Sequence, residues 1–222
     1  MFTGIVEAVG TLAALTPQGA DVRVTVNSGK LDLSDVRLGD SIATNGVCLT
    51  VVALTAQGYQ ADLSLETLQR SAFADYRAGQ ALNLEKALTL NTRLGGHLVS
   101  GHVDGVAQVL RRQDLGRAIE FWLRAPAELA RYLSEKGSVT LDGISLTINA
   151  VDGADFKITL VPHTQQETTT LNWQTGSKIN LEVDLLARYL ERLLLGERAA
   201  ESSAANSGGV SMDLLARSGF LR

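Results

Sequence analysis

The sequence predicts an all-β protein in which one small barrel or sandwich is written twice. Three observations carry this: a repeat at constant offset, short β-forming runs, and turn dipeptides between those runs. The repeat is seen by shifting the chain 97 positions, which lays F-T-G-I-V-E-A-V from Phe2 on V-S-G-H-V-D-G-V from Val99. The same shift lays S-I-A-T-N-G-V-C-L-T-V-V-A from Ser41 on S-V-T-L-D-G-I-S-L-T-I-N-A from Ser138. It also lays Y-Q-A-D-L-S-L-E-T from Tyr59 on F-K-I-T-L-V-P-H-T from Phe156, and G-Q-A-L-N-L-E from Gly79 on G-S-K-I-N-L-E from Gly176. No insertion or deletion is required. Solenoid repeats run to roughly 20–50 residues, so this longer period marks two copies of a domain, joined near Gly95-Gly96.

Within each copy the segments are short, rich in Val, Ile, Leu and Thr, and often alternate in polarity, as in V-R-V-T-V at Val22 and A-I-E-F-W-L at Ala118. Gly39-Asp40, Asn45-Gly46, Gly58 and Gly79 punctuate the first copy; Gly116, Asp142-Gly143, Gly153 and Gly176 punctuate the second. Short strands at such spacing point to a small barrel or sandwich. The stretch from Pro126, P-A-E-L-A-R-Y-L-S-E-K, predicts a helix with Pro in its first turn. Asp184 to Arg198 carries apolar residues at 185, 186, 189, 190, 193 and 194, which is one helical face. That face either packs on its own barrel or forms an oligomer seam. Residues 199–209, A-A-E-S-S-A-A-N-S-G-G, have the composition of a flexible linker.

Composition narrows the function classes. A chain of 222 residues with 45% hydrophobic and 20% charged residues is an ordinary globular length and balance, enough for one large domain or two of about 100 residues. No apolar run approaches the roughly 20 residues that span a bilayer, and M-F-T-G-I-V-E has no basic n-region or h-region. Membrane insertion and secretion are therefore not expected. The single cysteine excludes an internal disulfide and suits a reducing, cytoplasmic location. A net charge of −4 without a basic block argues against nucleic-acid binding.

The turn dipeptides define two hairpins. Asn-Gly and Asp-Gly between β-forming runs favour type I′ turns. With Asn45-Gly46 as the turn, Thr44 pairs with Val47, Ala43 with Cys48, Ile42 with Leu49 and Ser41 with Thr50. Side chains alternate between faces, so Ser41, Ala43, Cys48 and Thr50 share one face. Ile42, Thr44, Val47, Leu49 and Val51 share the core face. Around Asp142-Gly143, the same arithmetic groups Lys136, Ser138, Thr140, Ser145, Thr147 and Asn149 against a core side of Val139, Leu141, Ile144, Leu146 and Ile148. A polar face can simply be the wet side of an antiparallel sheet. Here, however, it carries small hydroxyls and a thiol in both copies rather than long charged residues, which suits a wall for a flat ligand.

Other candidates are weaker. G-G-H-L-V-S-G-H-V from Gly95 leads into a strand, not a helix, so it is no phosphate loop. His97 and His102 are five apart and would face opposite sides of one strand. With His163 they are the only histidines, and one cysteine completes the soft ligands, so no structural zinc site is expected. Ser145 lacks a G-x-S-x-G elbow. His102 matches Ile5, and Lys136 matches Gly39. A lone histidine is usually structural and a lone lysine usually a surface residue. Even so, the second copy holds two ionisable groups where the first has none, while the first holds the thiol. Two similar but unlike pockets follow.

The opening M-F-T-G-I-V-E, the N-G-V-C-L-T-V and D-G-I-S-L-T-I pair, G-G-H-L-V-S-G-H-V-D-G and V-P-H-T-x-x-E-T-T resemble the riboflavin synthase (alpha chain), lumazine-binding repeat family over residues 1 to about 195. The resemblance implies two tandem six-stranded antiparallel Greek-key β-barrels, over residues 1–97 and 98–184. An oligomerisation helix at 185–198 and a tail at 199–222 would follow. It implies a homotrimer with each active site shared between subunits, two 6,7-dimethyl-8-ribityllumazine molecules per site, riboflavin as product, and no metal or redox cofactor. A non-catalytic lumazine- or flavin-binding fluorescent protein on the same fold is the alternative.

The resemblance also implies roles. His102 is the candidate base or proton relay, and Cys48 and Ser145 are the candidate nucleophiles or proton donors. Lys136 would steady developing negative charge. Thr50, Thr147 and Ser41 would hydrogen-bond the ring edge, and Asp142 and Asp184 would position partners or the ribityl chain. Thr3, Gly4, Ile5 and Val6, with Gly101, His102 and Val103, would frame the rings. The backbone there, and that around Asp62, Leu63, Ser64, Leu65, Glu66 and Thr67 in the first copy and Val161, Pro162, His163, Thr164, Gln165 and Gln166 in the second, would frame the rings and the ribityl hydroxyls. Leu49 and Leu146 are counted with the substrate-binding residues.

Overall fold

The computed structural model describes residues 1–19 and 21–200. In the first copy β1 (Ala8–Gln18), β2 (Asp21–Asn27), β3 (Ser41–Thr44), β4 (Val47–Thr55), β5 (Gly58–Leu63) and β6 (Ala81–Lys86) close into a barrel. Every pairing is antiparallel, in the order β1-β2-β5-β4-β3-β6. The second copy contributes β7 (Gly105–Asp114), β8 (Ile119–Arg124), β9 (Ser138–Leu141), β10 (Ile144–Thr147), β11 (Ala150–Asp152), β12 (Asp155–Leu160) and β13 (Lys178–Val183). Its order is β10-β9-β13-β7-β8-β12-β11. Here β10 and β11 are the two halves of the strand that matches β4. They are separated at Ile148-Asn149, where the first copy has a bulge between Val51 and Ala53. The same bend is thus carried further, and the second ladder stays open as a half-barrel.

Each copy adds a short helix: α1 (Leu65–Arg70), capped by the Ser64 hydroxyl, and α2 (Pro162–Glu167), with Pro at its first turn. The first barrel closes around Leu12, Val24, Val26, Ile42, Tyr59, Phe73, Leu82 and Leu84; the second packs around Phe121, Leu123, Leu141, Phe156, Ile158, Trp173 and Leu181. At about 1.5–3 kcal/mol per buried large apolar side chain, these two clusters hold the fold.

Both hairpins have the register that their turns predict. Thr44 pairs with Val47 and Ala43 with Cys48; Leu141 pairs with Ile144 and Thr140 with Ser145. Asn45 and Gly46 have φ 46 and 79, and Asp142 and Gly143 have φ 44 and 81. Positive φ at both central residues is what a type I′ turn requires. Two sequence expectations change. The Pro126 stretch forms only a 3-10 turn, Ala127–Tyr132, because Leu133 leaves it in extended backbone to enter the core. Residues His97 to His102 are not a continuous strand. They cross between the copies with one bridge, Phe2 to Val99, so strand alternation does not govern where the two histidines point.

The hairpin tips meet in a buried polar seam. Asn45 accepts from the Asn83 N–H at 2.7 Å and donates to the Tyr76 hydroxyl at 2.9 Å. Asp142, its match, accepts from the Asn180 N–H at 2.9 Å and from the Trp173 side chain. The Asn/Asp difference follows from the partner: a tyrosine hydroxyl can accept, but an indole N–H only donates. Asp142 is therefore committed to the seam rather than to a ligand. Its burial pushes the carboxyl up from 3.8 to about 7. A raised folded value means that its stabilising contribution is full at low pH and is lost as the pH climbs from about 4 to 7. The pair Asp142→Asn with Trp173→Tyr copies the first seam. It should remove up to roughly 1.4 kcal/mol per pH unit from the slope of stability over that range. Urea unfolding between pH 4.5 and 8 measures this, and an unchanged slope would refute it.

The segment from Leu186 forms a second unit. Within it, α3 (Leu185–Leu194) gives way to a 3-10 turn at Gly196–Ala200. Leu186, Tyr189, Leu190, Leu193 and Leu194 are all exposed. Most of the expected linker and tail, 201–222, lies outside the described residues. No helix among the described residues is long and apolar enough to cross a membrane.

Candidate active site

Each polar hairpin wall is completed by a loop from the other copy. The Cys48 N–H donates to the Gly101 carbonyl at 2.8 Å, and the Ser145 N–H donates to the Gly4 carbonyl at 2.8 Å. Both glycines have positive φ, 74 at Gly4 and 81 at Gly101, and both lie flat against the hairpin. A Cβ on Gly101 would come within 2.6 Å of Cys48 Cβ, and one on Gly4 within 2.6 Å of Ser145 Cβ. The exchange continues into the cores. Val103 packs against the first cluster, and Val6 against the second.

Two unlike walls result. The first borders a cavity of about 250 Å³ lined by Val47, Cys48, Glu66, Thr67, Arg70, Ser71, Gly101, His102 and Val103. His102 therefore stands with the thiol, not with the second copy's hairpin as chain position alone suggests. At the second hairpin the histidine is His97. Its Nδ1 lies 2.7 Å from Ser145 Oγ and its Nε2 3.1 Å from Thr140 Oγ1. A neutral ring protonated on Nε2 satisfies both contacts: it donates to Thr140 and accepts the Ser145 proton. Burial holds the imidazole below its ordinary value, opposed by the charge of Asp184. Neutral His97 can thus act as a base toward Ser145, with Asp184 near enough to steady the cation that would form.

The remaining expected residues divide into two groups. Ser41 pairs with Thr50, and Ser138 with Thr147, on the polar face of each hairpin; Thr50 and Thr147 are exposed. Lys136 is exposed and has φ 66, the left-handed region where its match is Gly39. A lysine there carries backbone strain that a glycine would not. Thr3 is buried while Ile5 is exposed. Leu65, Val161, His163 and Gln166 are also exposed; Pro162 and Thr164 are half-buried.

Six other side chains of the expected set are committed to the fold itself. Leu49 and Leu63 point into the barrel core, with 3% and 0% exposure, so only their backbone can face a ligand. Leu146 likewise packs on the second core. Asp62 is held in a two-pronged pair with Arg23 at 2.8 and 2.9 Å. Gln165 donates to the Leu160 carbonyl at 2.9 Å, and Ser64 is a helix cap.

Sequence reasoning missed Arg70, Ser71, His97 and the seam asparagines. His97 lies at the joint, outside the duplicated register, so no match drew attention to it. The asparagines were visible as the repeated N-L-E.

A closed barrel and a matching half-barrel with equivalent polar hairpin walls are the architecture of a lumazine-binding protein, and the lumazine binding domain profile matches residues 3–87 and 100–184. The chain is 59% identical to riboflavin synthase of Photobacterium phosphoreum, and 55% identical to that of Photobacterium leiognathi, over all of both chains in each case. The crystal structure of LumP complexed with riboflavin superposes with a TM-score of 0.76 at 24% identity, covering 82% of this chain and 99% of that one, which speaks for the fold alone. The chain belongs to the riboflavin synthase family.

Proposed function

We propose that the chain catalyses the exchange of a four-carbon unit between two molecules of 6,7-dimethyl-8-ribityllumazine. The products are riboflavin and 5-amino-6-ribitylaminouracil, which makes this the last step of riboflavin formation. One observation carries the reading: two matched hairpin walls on one fold differ at the reacting groups, thiol with His102 at one and hydroxyl with His97 at the other. Two identical substrates must play unlike parts, donor and acceptor, so the walls that hold them must differ chemically.

His102 takes or relays the acidic 7-methyl proton of the lumazine beside Cys48. Ser145, with its proton drawn toward His97, adds to or protonates the second lumazine, and Lys136 steadies the negative charge that develops. Thr50, Thr147 and Ser41 bind the ring edges; Glu66, Thr67, His163 and Thr164 meet the ribityl hydroxyls. Each copy, 1–97 and 98–184, is taken as one lumazine-binding domain. The helix at 185–198 joins three chains, so that the first barrel of one subunit faces the second barrel of its neighbour.

The test is direct. Purified protein mixed with the lumazine should yield riboflavin absorbance without added cofactor. Retained ligand fluorescence with no product would instead favour a binding protein. Cys48→Ser rewrites the first hairpin as the second. It should fold normally and lower turnover without abolishing it; loss of folding would make the cysteine a packing residue only.

A further inference from the structure

Neither loop that completes a pocket is held by the hairpin alone. Glu182, on β13, accepts from the Ser100 N–H at 2.6 Å, the Ser100 hydroxyl at 2.8 Å and the Gly101 N–H at 2.9 Å. Glu85, at the matched place on β6, accepts from the Thr3 N–H at 2.6 Å, the Thr3 hydroxyl at 2.7 Å and the Gly4 N–H at 2.9 Å. The Ser100 hydroxyl in turn accepts from the His102 N–H at 3.2 Å, as the Thr3 hydroxyl does from Ile5 at 3.1 Å. Both carboxylates are buried, at 4% and 5% exposure. Burying a carboxyl group is costly unless its oxygens are bonded. A shared pattern of three donors on each, at the ends of two core strands, is a built arrangement rather than a surface accident.

We propose that Glu182 is the positioning residue for His102 over Cys48, and that Glu85 is its counterpart for the loop at Ser145. Each glutamate fixes a loop to its own barrel while that loop presses its glycine carbonyl on the other barrel's hairpin. Glu182 accepts from the Gly101 N–H while the Gly101 carbonyl accepts from the Cys48 N–H, so two hydrogen bonds link the carboxylate to the strand of the thiol. Glu182 thus sets where the imidazole stands without touching a ligand. The catalytic consequence rests on the synthase reading; the positioning itself does not. Two further groups bear on the clamps. Asp104 raises the Glu182 carboxyl, and Glu7 raises that of Glu85, each as a lesser cause after burial.

The lone cysteine makes the two clamps separately readable. In Glu182→Gln an amide N–H₂ replaces one acceptor oxygen and faces a backbone donor, so the loop over Cys48 loosens. Alkylation of Cys48 by iodoacetamide should then quicken several-fold, and kcat should fall at least tenfold with KM raised less. In Glu85→Gln the alkylation rate should stay at the wild-type value, because that clamp serves the other hairpin. Equal melting temperatures in the two variants would show that the contrast is local. If Glu182→Gln does not fold, Ser100→Ala, which removes one clamp bond and the His102 N–H acceptor, should give the same selective rise. Equal labelling changes in both clamp variants, or none in the Glu182 or Ser100 variant, would overturn the proposal. Should the wild-type protein make no riboflavin, the synthase reading fails while the alkylation contrast still decides the positioning.

Discussion

A chain ending at Leu185 is expected to be monomeric, to bind lumazine still, and to turn over at least a hundredfold more slowly. The reasons are apolar area and orientation. Leu186, Tyr189, Leu190 and Leu193 are 60%, 62%, 59% and 75% exposed. Covering such side chains is worth about 1.5–3 kcal/mol each, which must exceed an association cost of about 4–15 kcal/mol. One helix face per chain, contributed by several chains, meets that condition. On the shared-site reading proposed above, the truncated chain lacks its neighbour's wall for the second lumazine and loses much of the roughly 7–11 kcal/mol that fixed orientation can supply. Sedimentation with a riboflavin absorbance assay measures both effects. A monomer of full activity would show that each chain completes its own site.

The second large effect is expected at Gly101. In Gly101→Ala, the new methyl group would meet Cys48 Cβ at 2.6 Å and the Phe2 ring at 2.8 Å, at a φ of 81 that alanine rarely adopts. Phe2 is fully buried and Cys48 is on a paired strand, so neither gives way easily. The loop must lift, breaking the bond from the Cys48 N–H and carrying His102 off the pocket. Turnover should fall at least a hundredfold and stability by about 2–4 kcal/mol, combining backbone strain with overpacking. Gly79→Ala is the control. Its φ is 92, but nothing lies within 4 Å of the added carbon, so it should cost about 1 kcal/mol and leave turnover intact. If the two variants behaved alike, strain rather than the close approach to Cys48 would be the cause.

The legible part of this protein was local. Asn45-Gly46 and Asp142-Gly143 dictate turns whose backbone signs allow only one short hairpin register, and period-two alternation then puts Cys48 and Ser145 on the faces they occupy. The apolar stripe of α3 was equally plain, although its helix ends at Leu194, four residues before the predicted boundary. The burial of Asp142 was not legible locally, because it depends on Trp173, thirty-one positions away. Glu85 and Glu182 stood in matching N-L-E runs, yet nothing local said that those carboxylates would be buried under the loops that begin each copy.

The sequence by itself determined the duplication, the hairpins, the two core faces and the pairing of a thiol position with a hydroxyl position, because turn chemistry and alternation act over a few residues. The tertiary structure decided which loop completes which pocket. Residues 2–6 and 99–103 hold matched places in the repeat and share its glycine and valine, and either could in principle lie against either hairpin, so their sequences do not distinguish the arrangements. The choice is made by contacts between distant segments: the Glu85 and Glu182 clamps, the Phe2 to Val99 bridge and the meeting of Gly46 with Gly143 at the hairpin tips. Those contacts put His102 beside Cys48 and leave Ser145 to His97.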